Sequence, residues 1–181
     1  HLPASPSHNH TDHFSVSMSS TSKKPRILLL IDVYGWAFHT LAKGIQQYLT
    51  EDFDITIAAT YERPRFDVAS YDLLHVFGSH ETYHLRFPRG NCKILKAFYS
   101  TYSTLEQGMS LKEVYETHTK DADAILVPTH SMFKDFEGFP LPVYQSPEGL
   151  DTTQFRHTVT PSGLLIAGWA GNPAKICKRF E

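Results

Sequence analysis

Short apolar segments that alternate with helix-periodic segments constrain the fold of this chain most. Residues 27–31 form an uninterrupted apolar run, which is typical of a strand covered on both faces of a parallel sheet. After it, apolar side chains recur at spacings of three and four, which indicates one face of a helix. These side chains are Phe38, Leu41, Ile45 and Leu49. The alternation continues, and it predicts an α/β fold in which right-handed βαβ units build a Rossmann-like parallel sheet with helices on both faces.

The remaining elements are expected at intervals after this helix. Apolar runs predict further strands at residues 54–59, 73–77, 93–98 and 124–127, a short one that includes Val143 and Tyr144, and a last run at 163–168. Ser110 and Glu113 have the spacing of a capping box, in which each side chain accepts a hydrogen bond from the other residue's amide. A helix is therefore expected to begin there and to continue as far as His118, and a shorter one is expected around Phe133.

The first 24 residues differ in composition from the rest of the chain. They are rich in Ser and His and show no apolar period. Such a segment buries too little apolar surface to offset the entropy lost on ordering. Residues 1–24 are therefore predicted to be a disordered tail or a tag.

The charge balance and the cysteine content limit the partners and the location. Seventeen Lys and Arg residues stand against nineteen Asp and Glu residues, a formal charge of −2. No field of one sign is available to attract nucleic acid, and membrane association has no support. Cys92 and Cys177 cannot build a disulfide framework. A cytoplasmic location is expected, with a peripheral position at a membrane left open.

Ligands of parallel α/β sheets bind beyond the carboxyl ends of the strands. In the loop after the first strand, Gly35 would let backbone amides approach an anion at the start of the helix. The alternative is that Gly35 only makes the turn and that Trp36 packs in the core. In the loop after the fourth strand, Tyr99 and Ser100 offer hydroxyls that could bind a polyol, although such residues are also common in loops.

The loop after the third strand contains the string His80-Glu81-x-x-His84. It matches the zinc motif in which two histidines one helical turn apart hold the metal and the glutamate activates water. Pro88 leaves room for little more than one helical turn, and a βαβ sheet is the wrong context for a metalloprotease helix. A zinc metallohydrolase therefore stays an alternative to a general base or a hydroxyl-binding cluster.

Four segments resemble, in order, the retaining glycosyltransferases of the GT-B fold, family 4. Residues 146–155 resemble the linker that precedes the family's second domain. Residues 24–38 are similar to the family's first strand and turn. Residues 71–76 are similar to a later strand of the family, whose motif is an Asp followed by apolar residues, a His and a further apolar residue. Residues 165–173 look like the opening strand and glycine turn of its donor-binding domain. The resemblance covers residues 25–181.

This resemblance implies transfer of a sugar from a nucleotide-sugar donor to a hydroxyl of a sugar, glycan or lipid-linked acceptor, without a metal or other cofactor. Family members fold as two Rossmann-like domains that face a cleft. Residues 25–158 would form the acceptor-side domain, and residues 159–181 the linker and first strand of a truncated donor-binding domain. The family's downstream acidic pair is not reached, so the chain is expected to be inactive alone without the missing C-terminal domain. The alternatives are the zinc hydrolase and a non-catalytic Rossmann-like binding module.

The resemblance also implies roles for single residues. The residues matched to contacts with the donor diphosphate are Gly35, Gly168, Gly171 and Lys178. Phe77 stands where the family has a histidine, so His80 is the nearest substitute as a catalytic residue, with Glu81 beside it. Trp169 and Arg179 depart from the family's Arg and Gly, which leaves those contacts open. The candidate acceptor-binding residues are Tyr34, Trp36, Tyr99 and Ser100.

Overall fold

The computed structural model describes residues 23–101 and 104–149 of the chain. They form a six-stranded sheet in which every neighbouring pair is parallel, in the order β2-β1-β3-β4-β5-β6. The strands are β1 Arg26–Ile31, β2 Asp54–Ala59, β3 Leu73–Phe77, β4 Lys93–Ala97, β5 Ala124–Val127 and β6 Val143–Gln145, and the helices are α1 Ala37–Leu49, α2 Leu111–Val114 and α3 His130–Asp135. The predicted α/β class with a parallel sheet is confirmed.

Most element boundaries agree with the sequence patterns. The capping box is present, because Ser110 Oγ accepts from the Glu113 amide at 3.3 Å and Glu113 Oε2 accepts from the Ser110 amide at 2.7 Å. The helix that begins there differs from the expected one: α2 ends at Val114, and the chain continues as a π-helical turn over Tyr115–Thr119. Residues 1–22 of the predicted tail and the apolar run at 163–168 lie outside the described residues.

The two faces of the sheet bury different sets of side chains, because successive residues of a strand point to opposite sides. Leu29 and Ile31 pack with Ala42 of α1 on one face. Leu28 and Leu30 pack with Val76 on the other. This two-sided burial is the physical reason why residues 27–31 are apolar without interruption. None of the described helices is long and apolar enough to cross a membrane.

The strand order creates a switch point between β1 and β3. The chain leaves β1 to build β2 on one side, and then returns to place β3 on the other side of β1. The connections at the carboxyl ends of β1 and β3 therefore run in opposite directions, which is the arrangement at which parallel α/β sheets form a ligand crevice. We refer to this position between the two strand ends as the crevice. We define the switch-point loop as residues 78–84, which follow β3 at this crevice.

Candidate functional site

The loop between β1 and α1 forms one side of the crevice. Gly35 has φ +85°, in the left-handed region that favours glycine, so the predicted glycine turn is present. Its amide donates to Nδ1 of His39 at 2.9 Å. A ligand anion that used this amide would therefore have to displace the His39 imidazole.

Two aromatic residues flank this glycine in different surroundings. Tyr34 donates its hydroxyl to the Ile57 carbonyl at 3.2 Å, and its ring meets His39 edge-on with centroids 5.0 Å apart. Trp36 precedes α1 and is 68% exposed. The interpretation that Trp36 packs in the core is therefore wrong, and its indole is available to a ligand.

The switch-point loop is built around the Glu81 carboxylate. Oε1 accepts from the amides of Thr82 at 2.7 Å and Tyr83 at 2.6 Å, and Oε2 accepts from the Thr60 hydroxyl at 3.1 Å. Glu81 thus connects the loop to the residue that follows β2. His80 is exposed beside it. The arrangement makes Glu81 a group that holds the loop and leaves the His80 imidazole open to solvent.

The histidines of the zinc-like motif do not share a helix. Residues Tyr83–Arg86 form a 3₁₀ turn, and His84 is buried with Nε2 2.6 Å from Asp121 Oδ2, whereas His80 is exposed. The helical pair that the zinc motif requires is therefore not formed. Over residues 23–101 and 104–149, no group of three or more His, Cys, Asp or Glu side chains is arranged to hold a metal ion.

Tyr99 and Ser100, the two residues after β4 that were expected to bind a polyol, lie in different surroundings. The Tyr99 ring stacks parallel to Phe77, with centroids 6.0 Å apart, and packs against Phe38 of α1 at 5.0 Å. Burial raises the pKa of the Tyr99 phenol, and the carboxylate of Glu148 adds to the shift. Tyr99 thus belongs largely to the core under α1, whereas Ser100 is exposed at the carboxyl edge of the sheet.

Sequence reasoning missed the residues that follow β2. The carbonyl of Asp32 accepts from the Tyr61 amide at 3.0 Å and from the Thr60 hydroxyl at 3.4 Å, which joins the ends of β1 and β2. Tyr61 is 80% exposed there. The position of this segment directly after an apolar run was the available signal, because it marks another carboxyl end of a parallel strand.

His118 is a second histidine associated with the switch-point loop. Burial lowers the pKa of its imidazole, and the positive charges of His80 and Lys96 lower it further. His118 lies in the π-helical turn, a rare conformation that is frequent at functional sites. It was expected on a regular helical face, where nothing would have associated it with His80.

The remaining residues of the predicted donor site cannot be placed beside this crevice. Gly168, Gly171 and Lys178 lie outside the described residues, as does the linker-like string from residue 150 onward. No protein-family model, no curated protein sequence and no solved structure shows a significant match to this chain.

Proposed function

We propose that residues 25–158 are the acceptor-side domain of a glycosyltransferase that moves a sugar from a nucleotide-sugar to an acceptor hydroxyl. The observation that carries the proposal is the switch point between β1 and β3 in an all-parallel sheet, with the glycine turn at Gly35 on one side and the switch-point loop on the other. Crevices of this kind accept small polar ligands at strand ends. The four resembling segments supply the reaction class.

Within this proposal, His80 is the residue that meets the acceptor hydroxyl. An imidazole can accept a hydroxyl proton as the new glycosidic bond forms. Glu81 acts through the loop, because its carboxylate already accepts three hydrogen bonds. We therefore revise the role of Glu81 from a catalytic to a positioning residue.

The exposed Trp36 is the proposed contact for the acceptor ring. Aromatic faces stack on the apolar faces of sugar rings, and the Trp36 side chain is free of the core. Ser100 remains a candidate hydroxyl partner at the same edge. Tyr34 and Tyr99 shape the crevice through their packing and are not proposed to contact the acceptor directly.

The test is ligand-observed saturation-transfer NMR on the full chain, with a panel of methyl glycosides and free nucleoside diphosphates as probes. We expect at least one glycoside to bind, and Trp36→Ala and His80→Ala each to weaken binding by about tenfold, the loss of one good contact. Tyr48→Ala is the matched control, because Tyr48 is 63% exposed in the last turn of α1.

Other outcomes would identify the alternatives. Binding of nucleoside diphosphates with no glycoside binding would favour a non-catalytic nucleotide-binding module. One tightly held zinc per chain, measured after removal of residues 1–17, would favour the metallohydrolase. Glycoside binding that Trp36→Ala and Tyr48→Ala weaken equally would contradict the proposed acceptor surface.

A further inference from the structure

A cluster of ionisable side chains, two of them buried, joins the switch-point loop to the sheet. Lys96 and His84 have side chains that are each 1% exposed, and Asp121 between them is 18% exposed. Lys96 Nζ lies 2.8 Å from Asp121 Oδ1, and His84 Nε2 lies 2.6 Å from Asp121 Oδ2. One carboxylate therefore joins an ammonium and an imidazole in the interior.

The cluster connects three separate parts of the fold. Lys96 is on β4, His84 is in the 3₁₀ turn that ends the switch-point loop, and Asp121 lies between the π-helical turn and β5. Lys96 Nζ also donates to the His118 carbonyl at 2.7 Å, and Arg89 donates to the Asp121 carbonyl at 3.1 Å. The ammonium thus holds the π-helical turn and, through Asp121, the loop.

A cluster of this kind is poorly explained as a source of stability alone. Removing charged groups from water costs several kcal/mol per ion, so apolar side chains of similar volume often stabilise a fold as well or better. Burial lowers the pKa of Lys96, although Asp121 and the charge of Glu81 act in the opposite direction. Hydrogen bonds and ion pairs are directional, so they fix the positions of the groups they join, which apolar burial alone does not do.

We propose that the Lys96–Asp121–His84 cluster is a positioning unit that holds the switch-point loop against the sheet and so sets where His80 stands at the crevice. The loop is then attached at two points, through Glu81 to Thr60 and through His84 to Asp121. The inference rests on the proposed function only for the chemistry of His80. The position of the loop can be measured without a sugar or a nucleotide.

A matched pair of variants at His84 separates position from packing. His84→Gln places an amide N–H where Nε2 bonds to Asp121, and it removes Nδ1, which is buried without a hydrogen-bond partner among the described residues. His84→Leu fills similar space and loses the bond. Asp121→Asn is the second test, because it keeps the shape and removes the charge that joins Lys96 to His84.

The measurement is hydrogen–deuterium exchange by mass spectrometry on the full chain, together with NMR spectra of the imidazoles. We expect His84→Leu to speed exchange of amides 78–86 by about tenfold, the effect of losing one buried charge-assisted bond. Exchange in β1 and β3 should stay at the wild-type rate, and His84→Gln should restore slow loop exchange. In His84→Leu the imidazole resonances of His80 should also shift, because the loop that carries His80 moves.

Three results would overturn the proposal. Loop exchange that stays at the wild-type rate in both His84→Leu and Asp121→Asn would show that the cluster does not hold the loop. Faster exchange through the whole sheet, to the same extent in His84→Gln and His84→Leu, would show that it is only part of the core. Unchanged imidazole resonances of His80 in His84→Leu would show that the position of His80 does not depend on the cluster. Glycoside binding enters none of these outcomes, so failure here is distinct from failure of the proposed function.

Discussion

The side chain of His75 gives the sharpest test of the energetics of this sheet. It lies on β3 between Leu29 and Leu95 of the neighbouring strands and is 6% exposed. Its ring stacks on Phe77 with centroids 4.3 Å apart. Among the described residues, its Nε2 has no hydrogen-bond partner. Burial lowers the pKa of His75 from 6.5 to about 4, so the folded state keeps the ring neutral over a wider pH range than the unfolded chain does.

The size and the sign of the effect follow from this difference. A fall from 6.5 to about 4, at about 1.4 kcal/mol per pH unit, corresponds to about 3 kcal/mol of folding free energy. As the pH falls, the unfolded chain binds the proton first. This contribution to the free energy of unfolding is therefore fully present above pH 6.5, decreases as the pH falls from 6.5 to 4, and is lost below 4.

The perturbation is His75→Leu, measured by urea unfolding at several values between pH 7.5 and about pH 4, where His titration dominates the slope. Over this range the wild-type protein should lose about 3 kcal/mol more than the variant does. At pH 7.5 the variant should be as stable as the wild type or about 1 kcal/mol more stable, because a buried nitrogen without a partner is removed. His130→Leu, at the start of α3, is the control and should keep the wild-type slope.

Two results would refute this reasoning. The same loss of stability towards acid in His75→Leu and in the wild type would show that His75 does not titrate as its burial requires. Destabilisation of His75→Leu by more than about 2 kcal/mol at pH 7.5, the range expected for a broken buried hydrogen bond, would show that Nε2 has a partner.

Two further predictions concern a glycine and the buried carboxylate. Gly90→Ala should cost about 2–4 kcal/mol in urea unfolding, because φ is +57° and the new Cβ would lie 2.7 Å from Ala69 Cβ. Gly108→Ala, at φ +84° in open space, should cost only the backbone share of about 1–2 kcal/mol, and equal losses would contradict the steric argument. Burial alone would raise the pKa of Asp121, but its bonds to His84 and Lys96 lower it to about 2. The Asp121 carboxylate therefore contributes about 2 kcal/mol to the free energy of unfolding above pH 4, and this contribution is lost as the pH falls through 2. Asp121→Asn should be less stable at pH 7, and its free energy of unfolding should fall less between pH 4 and pH 2. An unchanged dependence on pH in this range would contradict the assignment.

Local patterns explain which elements could be predicted. The run at 27–31, the helix over Ala37–Leu49 and the capping box at Ser110 each depend on residues within a few positions of one another. The π-helical turn could not be predicted from such a pattern, because the carbonyl of His118 in this turn accepts a hydrogen bond from the Lys96 ammonium on β4. A spacing rule carries no information about a partner 22 residues away.

The candidate site shows the same division. The glycine turn at Gly35 and the exposed His80 occur in the loops where a parallel sheet predicts them. The roles of their neighbours could not be predicted from the sequence: the Glu81 carboxylate accepts a hydrogen bond from Thr60 after β2, and the Tyr99 ring packs against Phe38 of α1. The spacing of His80 and His84 matched a zinc motif, yet the segment formed a 3₁₀ turn with one ring buried and the other exposed.

By itself the sequence determined the alternation of strands and helices, because apolar periodicity and caps act over one or two turns of chain. Only the tertiary structure decided that β1 lies between β2 and β3, that the switch point therefore lies beside β1, and that Asp121 joins His84 to Lys96. These are choices among partners far apart in the chain. They depend on how the faces of the sheet and the helices pack together and on which charged side chains form pairs. Neither can be predicted from the spacing of neighbouring residues.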